Sequence, residues 1–242
     1  MKKTTIALFM LFPVAVTVSA QKETSIEPSG KIITKNITVK TFDGIKAEGL
    51  YELILTQGDN ESVKIEADDN LMELFTVANE GSTLLISMPK LRGNNIHFNG
   101  KKDDKNLKLK VYVVFKQLKN LDVAVIGNVR SESVVKASAF NLESKNVGNV
   151  NLKLTADKLT VNNKGVGNVT LQGTATNAEI KNKGVGAFEG SDLIVQTMNI
   201  DNSGVGGANV NVAKDLSVKQ SFLGKVSNKG NAKTHKMDAV EM

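Results

Sequence analysis

Along most of the chain apolar residues recur at every second position in short runs, the alternation of β-strands with one face buried. From Lys119 onward the runs themselves recur. With Gly127, Gly148, Gly167, Gly186, Gly206 and Gly224 as anchors, the steps between them are 21, 19, 19, 20 and 18 residues. The residue two after each anchor is Val129, Val150, Val169, Phe188, Ala208 and Val226, and the residue before it is Ile126, Val147, Val166, Val185, Val205 and Leu223. Six before the anchors stand Leu121, Leu142, Val161, Ile180, Ile200 and Val218; eight before them Lys119 is followed by Phe140, Leu159, Ala178, Met198 and Leu216. Each unit reads as at least two short strands with a glycine corner, and the apolar columns on both sides of the corner, Val166 and Val169 among them, are expected in the core. So short a unit cannot bury its apolar face alone, and copies must stack. The predicted fold is all-β: a single-stranded parallel β-helix, or β-solenoid, of about 20-residue rungs lying ~4.8 Å apart.

Upstream of the regular units, Leu53-Ile54-Leu55, Val63-Lys64-Ile65, Leu84-Leu85-Ile86 and Leu109 to Val113 are strand-like runs separated by QGDN, NEGS and RGNN turns. Residues 69–77, DNLMELFTV, predict one short helix, with Asp69 or Asn70 as its cap and Leu71, Leu74 and Phe75 on one face. This β-rich part, residues 36–115, is expected to cap the solenoid rungs of residues 116–230, the two together forming a head domain of residues 36–230. Residues 21–35 are polar and read as a tether; residues 231–242 read as a polar tail.

The first twenty residues, MKKTTIALFMLFPVAVTVSA, have a basic start at Lys2 and Lys3, an apolar run from Ile6 to Val18 and the small residues Ser19 and Ala20. That is the pattern of a signal peptide cut after Ala20. The processed protein is expected in the periplasm, at the cell surface or outside the cell. No later apolar run is long enough to cross a membrane as a helix. Removing Lys2 and Lys3 lowers the formal charge from +6 to +4, so the protein stays basic. Cysteine is absent, so no disulfide can staple the fold. Aromatics make up only 5% and tryptophan is missing, which suits a narrow repetitive core better than one built on large rings.

Four residues before the anchors the column reads Val123, Ser144, Asn163, Asn182, Asn202 and Gln220. Alternation points it inward, where a lone amide is costly. Stacked amides remove that cost by donating from rung to rung, so Asn163, Asn182 and Asn202 are expected to form a structural ladder. Asn128, Asn149 and Asn168, just after the glycine, are expected to help fix the turn. The repeated Gly-Val-Gly has no third glycine at the dinucleotide spacing and no helix to follow; Thr170 stands where that glycine would be. Backbone freedom at a corner accounts for Gly148, Gly167, Gly186 and Gly206 without a phosphate.

The stretches FDGIKAEGLYELILTQGDNESVKIEADDNLMELF (42–75), GSTLLISM (81–88) and KLKVYVVFKQLKNLDVAVIGNV (108–129), with the later GVGNV repeats, resemble the putative auto-transporter adhesin, head GIN domain family of exported proteins. The resemblance covers most of residues 35–230. It departs from the family at Lys116 and Gln117, where a proline usually precedes the segment matching Leu118. It implies a right-handed single-stranded parallel β-helix and an adhesive role, with fold a weak guide to chemistry.

Catalysis on such a scaffold, as in polysaccharide lyases or glycosidases, needs converging carboxylates. Here Glu143, Asp157, Glu179, Glu189, Asp192, Asp201 and Asp215 fall in several different columns. His97 and His235 have no evident partner, and no catalytic residue, metal site or cofactor is expected. A column of charge is the sharper feature. Lys145, Lys164 and Lys183 lie three residues before their anchors and should stack on one outer face, with Lys181 beside them. This stripe is a candidate contact for an anionic polysaccharide or an envelope component; nucleic acid is not expected, because the interleaved aromatics it favours are missing. The reading is an exported, non-catalytic, adhesin-like interaction module, with a β-helix polysaccharide lyase or glycosidase and a structural envelope component as alternatives.

Overall fold

The structure is a computed structural model describing residues 24–26, 28–88, 96–98, 109–221 and 223–237, the side chains of 24–26 and 96–98 excepted. The signal-peptide reading, the RGNN turn and the side chain of His97 lie outside the described residues.

The N-terminal part contains β1 (Thr24–Ile26), β2 (Ile32–Ile37), β3 (Gly44–Leu50), β4 (Glu52–Gln57), β5 (Ser62–Asp68), β6 (Thr76–Glu80), β7 (Thr83–Ser87), β8 (Ile96–Phe98) and β9 (Lys110–Phe115). The regular rungs use β10 (Asn120–Ile126), β11 (Val129–Ser131), β12 (Val135–Ser144), β13 (Val150–Asn163), β14 (Val169–Asn182), β15 (Phe188–Asn202) and β16 (Ala208–Gln220). They end in β17 (Val226–Asn228) and β18 (Lys233–Lys236), both paired in parallel with β16.

The repeat columns are the strand register. Val150 pairs with Val169, Val169 with Phe188, Phe188 with Ala208 and Ala208 with Val226. On the other side of the coil Leu121, Leu142, Val161, Ile180, Ile200 and Val218 form one parallel row, and each is buried. The extra residue of the 20-residue unit is absorbed where the β14–β15 register shifts between Thr170 and Gln172. The result is a β-solenoid whose parallel ladders surround one narrow core.

The column before the anchors is not in that core. Ile126, Val147, Val166, Val185, Val205 and Leu223 are each about half exposed or more, at 57%, 49%, 52%, 51%, 51% and 61%. The physical reason is the phase of the alternation. Inward positions at eight, six and four before the glycine are followed by an inward position two before it, and Asn146, Gly165, Gly184 and Gly204 there are buried. The next residue must then face outward. A glycine with positive φ, such as Gly167 (φ 124°), resets the phase so that Val169 points inward again.

Solenoid stacking reaches further upstream than a simple cap. β3 pairs in parallel with β10, setting Ile45 beside Leu121 and Ala47 beside Val123, and β4 pairs in parallel with β11. β7 and β9 add parallel partners to β3 and β4. The stack is closed by a change of direction: β2 on β5, β5 on β9 and β6 on β7 are all antiparallel.

Over residues 69–77 the helix is reduced to a single 3-10 turn at Met72–Leu74, entered at Leu71 without a side-chain cap, and β6 begins at Thr76. Leu71, Met72 and Leu74 are all buried, so the apolar residues seat a plug over the coil's end. Pairing of β6 with β7 outcompetes continued helix, which so short a segment cannot sustain alone. β2 starts at Ile32, inside the segment read as a tether, and β18 lies inside the segment read as a tail.

Candidate interaction face

Buried amides run through the wall that carries the lysines. The Asn163 side-chain amide donates to Asn182 Oδ1 at 2.7 Å, and that of Asn182 donates to Asn202 Oδ1 at 2.7 Å. The Asn202 amide ends the row on the carbonyls of Gly224 (2.7 Å) and Gly206 (3.0 Å). All three asparagines are buried, so the row fixes the rungs from within. Ser144, the next member toward the N-terminus, has no partner for its hydroxyl.

The charge stands at outward positions just past the ends of β12, β13 and β14. Lys145, Lys164 and Lys183 are exposed on three successive rungs, and their backbones are tied to the preceding rungs at Val123, Ser144 and Asn163. At ~4.8 Å per rung their stems rise over about 10 Å. Among the described residues none of the three forms an ion pair. Lys181 differs: its ammonium donates to Glu179 at 3.0 Å, and that hydrogen bond, followed by the carboxylate's charge, holds it above the ordinary lysine range. Asp201, its partner in register, adds to the same effect. The free cationic column is thus Lys145, Lys164 and Lys183, with Lys181 neutralised beside it.

The corner glycines leave no amide to cradle a phosphate. The amides of Gly167 and Gly186 donate to the carbonyls of Val185 and Val205, and that of Gly165 donates to Asn163 Oδ1. Asn128, Asn149 and Asn168 use their side-chain oxygens in the same stacking, accepting from the backbone N–H of Asn149, Asn168 and Ala187. All three residues are exposed.

Among the described residues no group of three His, Cys, Asp or Glu side chains is placed to hold a metal ion. His235 lies against Asp215 at 3.1 Å on the C-terminal edge, both well exposed. Elsewhere Arg130 bridges Glu52 and Glu132 at 2.9 Å each, and Lys64 sits 4.0 Å over the Tyr112 ring while pairing with Glu66. The Arg130–Glu52 pair crosses from β11 to β4 and the Lys64–Tyr112 contact from β5 to β9, tying neighbouring strands together.

A match to the family described as putative auto-transporter adhesin, head GIN domain, runs over residues 41–232. The chain belongs to that family. Solved structures carry the same head GIN fold. A putative adhesin from Bacteroides fragilis is 29% identical, with TM-score 0.72, over 88% of this chain and all of that one. A putative lipid binding protein from Parabacteroides distasonis is 20% identical, with TM-score 0.66, over 88% of this chain and 95% of that one. A putative adhesin from Parabacteroides merdae is 19% identical, with TM-score 0.54, over 88% and 99%. No curated protein matches this head GIN chain. Among its described residues no helix is long and apolar enough to cross a membrane.

What sequence reasoning missed on this face is the exposed apolar column from Ile126 to Leu223. The signal was present: continuing the two-residue count from Val161 and Asn163 puts Gly165 inside and Val166 outside.

Proposed function

We propose that this head GIN protein is an exported, non-catalytic, adhesin-like module that contacts acidic glycans of the cell surface or its surroundings through Lys145, Lys164 and Lys183. The observation that carries the reading is the contrast along one wall. Three exposed lysines stand one rung apart with no ion pair among the described residues, whereas Lys181 on the same wall is paired with Glu179. A polymer with regularly spaced anionic groups can satisfy several such lysines at once, so contacts too weak singly add up through effective concentration. The signal-peptide pattern of residues 1–20 supports export to where such polymers occur.

The test is retention of the processed protein on an immobilised uronic-acid polymer, compared with a neutral glucan. The reading expects retention on the acidic matrix alone, release by salt, and loss when Lys145, Lys164 and Lys183 are all replaced by serine. Unchanged retention of that triple variant would overturn it.

A further inference from the structure

We infer that the exposed column Ile126, Val147, Val166, Val185, Val205 and Leu223 docks on an anionic lipid surface, with the solenoid lying along the bilayer. This rests on the lysine column being an anion-contacting face, and it adds what lies under the anions.

Six of the exposed large apolar side chains of the described residues fall in this one row. Parallel bridges join Ile126 to Val147, Val147 to Val166, Val166 to Val185 and Val185 to Val205, so the row is continuous. At its N-terminal end Ile126 pairs with Leu50 and helps line a groove of about 410 Å³ with Leu50, Leu85 and Met88, where Lys46, Glu48 and Glu80 also stand. Scattered exposed apolar residues need no explanation, but a contiguous line of them marks an interaction site.

Its flanks decide the occupant. Two residues before the valines stand Lys145, Lys164 and Lys183; two residues after Ile126, Val147 and Val166 stand the exposed Asn128, Asn149 and Asn168, whose side-chain oxygens accept from the backbone of the next rung. Neither flanking column contains a carboxylate from Ala124 to Lys225; the first one, Glu48, is in register with Ala124 beyond that end. Around Val147 and Val166 the apolar row is thus bordered by a lysine on one side and an asparagine on the other.

An added peptide strand finds no free main chain there: the amides of Val147, Val166 and Val185 donate to Val125, Asn146 and Gly165 of the neighbouring rung. A second copy would bring two lysine columns together, and a row one side chain wide falls short of the roughly 800 Å² per partner that stable dimers bury. A soluble acidic polysaccharide meets the lysines and leaves the valines in water. Anionic oxygens above an apolar layer, the arrangement of an acidic phospholipid bilayer, satisfy all three columns together.

The experiment is flotation of the processed protein with phosphatidylcholine vesicles, with and without phosphatidylglycerol. The protein should float only with the anionic vesicles. Val147→Ser, Val166→Ser and Val185→Ser together should lower that partition at least about tenfold, while retention on the uronic-acid polymer stays unchanged. Replacing Ile194, an exposed apolar residue outside the row, by serine should alter neither, and the urea midpoint reports that the triple variant is folded. The inference is overturned if the folded valine variant floats like the parent, or if the parent fails to float. In either case persisting glycan retention leaves the glycan reading standing, whereas loss of both removes the two together.

Discussion

Val166 and Val169 are three residues apart on one rung and stand on opposite sides of its wall, Val166 52% exposed and Val169 2%. Between them lies Gly167, at φ 124°. Its positive φ lets an apolar residue face solvent without shifting the core residue that follows. The two valines should respond oppositely to truncation. Val169→Ala is expected to cost about 2 kcal/mol through lost burial and an unfilled cavity, and Val166→Ser to stay within about 0.5 kcal/mol of the parent. Urea unfolding of the two variants checks this; equal costs would contradict the wall geometry.

The buried amides predict a second asymmetry. Asn182→Ala removes a side chain that both accepts from Asn163 and donates to Asn202, stranding a donor and an acceptor in the core. A loss of about 2–4 kcal/mol is expected. Ser144→Ala, in the same column, removes a hydroxyl that has no partner and should be neutral or slightly stabilising. Denaturant midpoints separate these outcomes.

Corner glycines differ from loop glycines by what surrounds them. A Cβ on Gly186 would overlap the Gly167 carbonyl oxygen of the neighbouring rung, in a backbone conformation that side chains rarely adopt. Gly186→Ala should cost at least about 3 kcal/mol, from positive-φ strain plus rung separation. At Gly30, also at positive φ, a Cβ would meet nothing within 4 Å, and alanine should cost only about 1 kcal/mol. Soluble yield and melting temperature are the measurements.

One ion pair predicts a pH dependence. Lys119 Nζ donates to Asp43 at 2.8 Å, and this hydrogen bond, with one from Ser82, holds the Asp43 carboxyl below the ordinary aspartate value. A depressed carboxyl stabilises the fold above the unfolded-state value and loses that contribution as pH falls through the folded-state one. The parent should therefore exceed Lys119→Ala in stability by about 0.5 kcal/mol at pH 7. The gap should close as the solution is acidified through and below the aspartate range. A gap that persists at the acid end would mean that Lys119 acts through its stem packing instead.

Much of the architecture was legible because the rung repeats. A register restored at the same columns in every unit prints each column six times, and Leu121 to Val218 or Val129 to Val226 can be aligned by eye. The N-terminal part gave less. Ile45 pairs with Leu121 and Leu53 with Val129, but the intervening Tyr51 replaces the glycine that marks later corners, so the rung was not recognisable as one. The segment 69–77 carries helix spacing in Leu71, Leu74 and Phe75, and only its neighbours β5 and β7 show that one turn suffices.

Sequence by itself determined the period, the inward columns that end in Val129 and Val169, and the stacking of Asn163 over Asn182, because each follows from alternation and from the cost of burying an isolated amide. Tertiary structure decided the positive-φ turn at Gly167 that resets the alternation, the pairing that removes Lys181 from the free charges, and the antiparallel closure of the coil. Those depend on how a backbone turns at one glycine and on which strand arrives beside another, and neither is written in the identity of the residues concerned.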